Sequence, residues 1–131
     1  MFASPSQVTG RALPTALVAV AAGGALGATL RWVVGEMYDV VPGAWPWPTF
    51  AANVVGCLLI GIATIRIERG TLTWDAVVTG LLGGFTTMST FAVELNDLVD
   101  LDRSATAVGY GAATLAAGAG AVAVGAALAR Q

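Results

Sequence analysis

A chain of 131 residues is enough for one domain, and 56% hydrophobic against 11% charged residues, with a mean hydropathy of +0.78, excludes an ordinary soluble one. The net charge of −2 gathers no basic patch, so nucleic acid is not an expected partner. With no histidine and a single cysteine, Cys57, the chain has no intrachain disulfide, no cysteine or histidine zinc centre and no imidazole acid–base chemistry.

Four uncharged runs, Leu13 to Leu30, Thr49 to Ile65, Ala76 to Val93 and Ser104 to Ala129, approach or exceed the ~17 residues that a spanning helix needs. They predict an all-α membrane protein: one domain, 1–131, with four transmembrane helices at about 13–34, 49–66, 75–96 and 104–129. The connections are short, which leaves no extramembrane domain for a nucleotide site or a soluble catalytic centre. Arg11 followed by an apolar run and the small residues Ala22-Gly23-Gly24-Ala25 has the outline of a signal peptide. Its apolar character continues to Val34, past the ~7–15 residues of a signal core, so it is read as the first span.

That span carries Gly23-x-x-x-Gly27 and Gly24-x-x-x-Ala28, a spacing that clears one face for close helix contact. Arg31 near its end has two readings, a snorkelling anchor or a cation at a pore entrance. Between Gly35 and Pro48, three prolines and two glycines break helical structure while Trp45 and Trp47 suit the headgroup level, an interfacial loop. In the second span Thr49 and Asn53 are four apart and share a face; Asn53 lies a turn inside, where an unpaired amide is costly.

The third span is the informative one. Gly83-Gly84-Phe85-Thr86-Thr87-Met88-Ser89-Thr90-Phe91 places two glycines and four hydroxyls mid-span, the pattern of a helix broken near its middle. Non-helical backbone at membrane depth survives only where it is buried in protein, lines a cavity or holds an ion. With no carboxylate at the break, a cation there must be held by carbonyl dipoles, while Asn53 offers N–H donors and Phe91 a positive ring edge to an anion. Glu94 follows one turn after Phe91. The fourth span packs through Ala113, Ala117, Ala121 and Gly125, and its main polar side chains are Tyr110 and Thr114, four apart.

With four crossings, Arg11, Arg66, Arg69 and Arg130 fall on one side and Arg103 on the other, which sets both termini in the cytoplasm. Acidic residues Glu36, Asp39, Asp97, Asp100 and Asp102 collect on the outer side.

Three ordered motifs resemble the Fluc (CrcB) family of bacterial fluoride channels: Gly23-Gly24-x-x-Gly27-Ala28-x-x-Arg31, Thr49-Phe50-x-x-Asn53-x-x-Gly56 with Gly61, and Gly80-x-x-Gly83-Gly84-Phe85-Thr86-Thr87-x-Ser89-Thr90-Phe91. The resemblance covers nearly the whole chain and implies an antiparallel, dual-topology dimer with two fluoride pores along the subunit interface. It also implies a central structural sodium ion (Na+), held by the main-chain carbonyls of Gly83 and Thr86. The pore residues it implies are Asn53, Met88, Ser89, Thr90 and Phe91, with Tyr110 and Thr114 continuing a polar track, Glu94 near one end and Arg31 toward a vestibule. The implied activity is passive export of cytoplasmic fluoride across the bacterial plasma (inner) membrane, relieving fluoride toxicity without enzymatic chemistry.

Two departures qualify the resemblance. Met88 stands where the family usually has a phenylalanine, and the four-to-one arginine bias reads as an oriented chain, which allows a heterodimer with an oppositely inserted homologue, this chain being its pore-degenerate subunit, in place of a homodimer. The competing class is a small multidrug-resistance type cation exporter, also of four spans; it relies on a carboxylate deep in the first span, and Leu13 to Leu30 contains none.

Overall fold

The computed structural model describes residues 13–39 and 41–131, so Arg11 and the segment before Leu13 lie outside the described residues. Four helical rods are long and apolar enough to cross a membrane: Leu13–Glu36, Trp47–Arg66, Leu72–Asp100 and Ser104–Ala129. The expected bounds are each met or exceeded, most in the third rod, which starts three residues earlier and ends four later than expected.

The first rod is α1 (Leu13–Glu36) and the second is α2 (Trp47–Arg66), opened by Pro48 in the first turn, where a missing N–H is harmless. The third is a joined, bent rod of successive pieces: α3 (Leu72–Trp74), a π-helical stretch Asp75–Leu82, α4 (Gly83–Phe85) and α5 (Met88–Asp100). The fourth is α6 (Ser104–Ala129). Thr71 starts the third rod by accepting the Trp74 amide at 3.1 Å. At its far end Asp102 adopts a left-handed φ of 58° and Arg103 N donates to Leu98 O at 2.8 Å, a closure that turns the chain into α6 within two or three residues.

Packing is pairwise. α1 lies against the π stretch and α4, while α2 lies against α6. A Cβ at Gly27 would run into the main chain of Leu81 and Phe85, and one at Gly84 into that of Gly24. Gly61 and Gly125 do the same for α2 and α6, each facing the other helix's backbone. In lipid there is little hydrophobic drive between helices, so such backbone approach and its dispersion energy hold the bundle together. Large apolar side chains such as Leu17, Leu26, Val108 and Leu115 point outward, while the buried cluster is Phe91, Leu98, Ala107 and Tyr110 with Trp45, Phe50 and Leu95 packed on it. A chain that exposes leucines and buries glycines suits hydrocarbon as its solvent, and this is a multi-pass membrane protein.

The location of the irregular backbone differs from expectation. Gly83 and Gly84 are helical, Gly83 at φ −63° and ψ −37°, and the extended residues are Thr86 (φ −78°, ψ 153°) and Thr87 (φ −144°, ψ 123°). Gly84 serves close approach to the Gly24 backbone of α1 rather than unwinding.

Candidate functional site

Two threonines set the local geometry. Thr86 closes the end of α4 twice on one acceptor, its amide and its hydroxyl donating to Leu82 O at 3.0 and 2.9 Å. Thr87 then begins α5 as its cap, its hydroxyl oxygen accepting the Thr90 amide at 3.1 Å. The peptide groups left over are taken by Asn53 of α2: Thr87 N donates to Asn53 Oδ1 at 2.8 Å and Asn53 Nδ2 donates to Thr87 O at 3.0 Å. One primary amide thus satisfies both a donor and an acceptor of the extended residue, which answers what an amide does at this depth.

This clamp has a second effect. In an unbroken α-helix the Thr87 amide would donate to Gly83 O and the Thr90 amide to Thr86 O. Here both amides are engaged elsewhere, by Asn53 and by the Thr87 hydroxyl. The Gly84 carbonyl between them accepts from Arg31 Nε at 3.3 Å. Among the described residues no cluster of three or more Cys, Asp or Glu side chains is placed to hold a metal.

Two cavities flank the segment. The inner one, about 360 Å³, is lined by Asn53, Cys57, Thr86, Thr87, Phe91 and Thr114, with Met88 at its edge. The outer one, about 650 Å³, is lined by Trp45, Thr49, Thr90, Glu94, Asp97 and Asp100 among others. Between them sits an aromatic contact, Phe91 against Tyr110 with ring centroids 5.2 Å apart. Tyr110 is 0% exposed and its hydroxyl donates to Glu94 Oε2 at 2.7 Å; Thr49 Oγ1 donates to Glu94 Oε1 at 2.6 Å. Both carboxylate oxygens therefore accept a short hydrogen bond.

Of the residues expected at the site, Asn53, Met88, Phe91 and Thr114 meet at the inner cavity and Thr90 and Glu94 at the outer. Tyr110 stands between the two. Arg31 and Ser89 line neither: Arg31 bonds the Gly84 carbonyl, and exposed Ser89 lies 3.2 Å from the Thr87 hydroxyl. Met88 is 69% exposed. Residues at the cavities or the clamp that were not assigned to the pore beforehand are Thr87, the centre of the clamp, Thr49, Trp45 and Cys57. The signal for Thr49 was present, since it shares a helical face with Asn53; nothing local distinguishes Thr87 from its neighbouring hydroxyls.

Residues 18–126 match the model of a family described as CrcB-like protein, Camphor Resistance (CrcB). The chain is 37% identical over 121 residues to the fluoride-specific ion channel FluC 2 of Nocardia farcinica, an overlap of 89% of this chain and 86% of the relative. It is 43% identical over 107 residues to the fluoride-specific ion channel FluC of Bordetella pertussis, covering 79% and 82%. It is 40% identical over 106 residues to the fluoride-specific ion channel FluC 1 of Mycolicibacterium paratuberculosis, covering 78% and 80%.

Proposed function

This chain belongs to the CrcB family, and from that premise we propose that it is a fluoride channel, passing cytoplasmic fluoride out across a bacterial plasma membrane down its electrochemical gradient. The relatives it matches are named channels, not enzymes, which accords with passive conduction. The observation that carries the reading is the Asn53–Thr87 clamp beside a cavity walled by hydroxyls and a phenylalanine. Fluoride is small and holds its water tightly, so a selective path must replace that shell with several donors, none binding so firmly that the ion stays. Threonine hydroxyls, a primary amide and an aromatic edge are donors of that strength.

The conducting unit in this proposal is an antiparallel dimer with two pores, each using Asn53, Met88, Thr90, Phe91 and Glu94, with Tyr110 and Thr114 as the wall between. Ser89 and Arg31 act around the path, Ser89 through the Thr87 hydroxyl and Arg31 through the Gly84 carbonyl. A structural sodium ion fits the donor set at Gly83 and Thr86, because the amides that would occupy their carbonyls in a continuous helix are engaged elsewhere. Sodium would supply positive charge where the partial negative end of α4 accumulates. Two carbonyls per chain make a sensible half-site, completed by a second subunit across a two-fold axis. Relatives numbered FluC 1 and FluC 2 accord with pairing between unlike chains. The cation-exporter alternative loses its main support, since α1 carries no carboxylate before Glu36 and both oxygens of Glu94 are engaged.

The test is fluoride discharge from liposomes loaded with potassium fluoride and containing this chain alone, against liposomes loaded with chloride. Rapid fluoride loss with chloride retained is expected; a well-folded dimer that passes neither ion removes the self-sufficient channel and leaves the heterodimer to be reconstituted.

A further inference from the structure

Two buried side-chain polar atoms lack a hydrogen-bond partner among the described residues, Thr114 Oγ1 and Trp45 Nε1. They are not scattered. Thr114 belongs to the wall of the inner cavity and Trp45 to that of the outer, on either side of the Phe91–Tyr110 contact. An indole N–H is a donor with no acceptor capacity, so it cannot satisfy itself by exchanging roles. A buried donor kept unpaired in a native fold calls for a reason, and an incoming acceptor is the simplest.

Trp45 is also fixed in place. Its ring meets Trp47, Phe50 and Tyr110 at centroid distances of 5.7, 5.7 and 5.5 Å, the last two edge-to-face, so three aromatic neighbours restrict its rotation. Nearby carboxylates are engaged by other groups: Glu94 by Thr49 and Tyr110, Asp100 by the Asn96 amide at 3.0 Å. Glu36 and Asp97 add negative field to this cavity, and the Arg103 side chain lies against Gly43 on its rim. An anion crossing here therefore gains most from a neutral donor that is already oriented.

We propose that the Trp45 indole N–H is an anion donor on the fluoride route, hydrogen-bonding the ion in the outer cavity before or after it passes Phe91. This rests on the fluoride-channel reading. Fluoride is the stronger hydrogen-bond acceptor of the two halides, so the N–H is expected to engage fluoride in preference to chloride.

The experiment uses the full chain labelled with 15N at the indole nitrogens, its Trp45 resonance assigned from Trp45→Phe, titrated with sodium fluoride and with sodium chloride at matched ionic strength. The Trp45 N–H signal is expected to shift and saturate with fluoride while those of Trp32 and Trp74 stay, and chloride is expected to leave all of them unmoved. In vesicles, Trp45→Phe is expected to slow fluoride discharge at least threefold while eluting as the native oligomer. Benzothienylalanine at position 45, which keeps the ring shape and removes the N–H, is expected to do the same. A Trp45 signal unmoved by fluoride, or moved equally by chloride, overturns the proposal while discharge by the wild-type chain leaves the channel reading intact. Wild-type vesicles that discharge no fluoride remove the self-sufficient channel instead, and the titration then decides separately whether the N–H binds the ion.

Discussion

Asn53 has two functions in a single side chain: it closes the hydrogen-bond account of Thr87 and forms part of the inner cavity wall. Asn53→Ala leaves an amide and a carbonyl unpaired, at about 1–3 kcal/mol each. A clear fall in melting temperature and at least a tenfold loss of fluoride discharge are expected; an unchanged melt in differential scanning fluorimetry would show that Thr87 finds other partners. Met88 is a different kind of residue, exposed, without a hydrogen bond and beside the same cavity. A thioether has no positive ring edge, so Met88→Phe is expected to keep or raise fluoride flux in the liposome assay, and loss of the folded oligomer would instead make Met88 a shape-determining contact.

At the scale of the helices, the third rod and α1 form one unit joined by glycine-to-backbone contact. Gly27 sits where a side chain would meet the Leu81 carbonyl and the Phe85 amide, main-chain atoms that cannot swing aside. Gly35, further along the same helix, has nothing within 4 Å of where a Cβ would lie. Gly27→Val is expected to abolish recovery of folded protein after detergent extraction, whereas Gly35→Ala is expected to leave recovery unchanged or to improve stability by up to about 1 kcal/mol. Equal behaviour of the two variants would mean that the α1 contact does not organise the bend. The positioning of Thr86 and Thr87 follows from this unit together with α2, since α1 fixes α4 and Asn53 reaches across from the other side.

For the whole molecule, the charge distribution acquires a geometric basis. Arg66 Nε donates to Ala129 O at 2.9 Å, so the last turns of α2 and α6 lie at one end, and Arg66, Arg69 and Arg130 share that end. Arg103 lies at the opposite end, beside the Gly43 turn. The positive-inside rule then assigns the Arg66–Arg69 end to the cytoplasm. Accessibility reporters placed in the 37–46 and 67–71 connections are expected to label from opposite sides with one orientation dominant. Equal labelling of each loop from both sides would restore the dual-topology homodimer.

The four spans, the lipid environment and the importance of the Gly83–Phe91 stretch were legible in the sequence, because hydropathy over some twenty residues and glycine–hydroxyl composition are local properties. So was the shared face of Thr49 and Asn53, a matter of helical period. What the sequence left open was which residue of that stretch leaves the helix. Glycine propensity points to Gly83 and Gly84, yet both stay helical, Gly84 packed against the Gly24 backbone of α1, and the amide of Asn53, thirty-four positions from Thr87 in the chain, competes successfully for the backbone there. The same holds for Trp45, read as an interfacial aromatic and found with its N–H buried and its ring packed on Tyr110. Contacts between residues far apart in sequence decide where a hydrogen bond is diverted, and only the packed bundle brings those residues together.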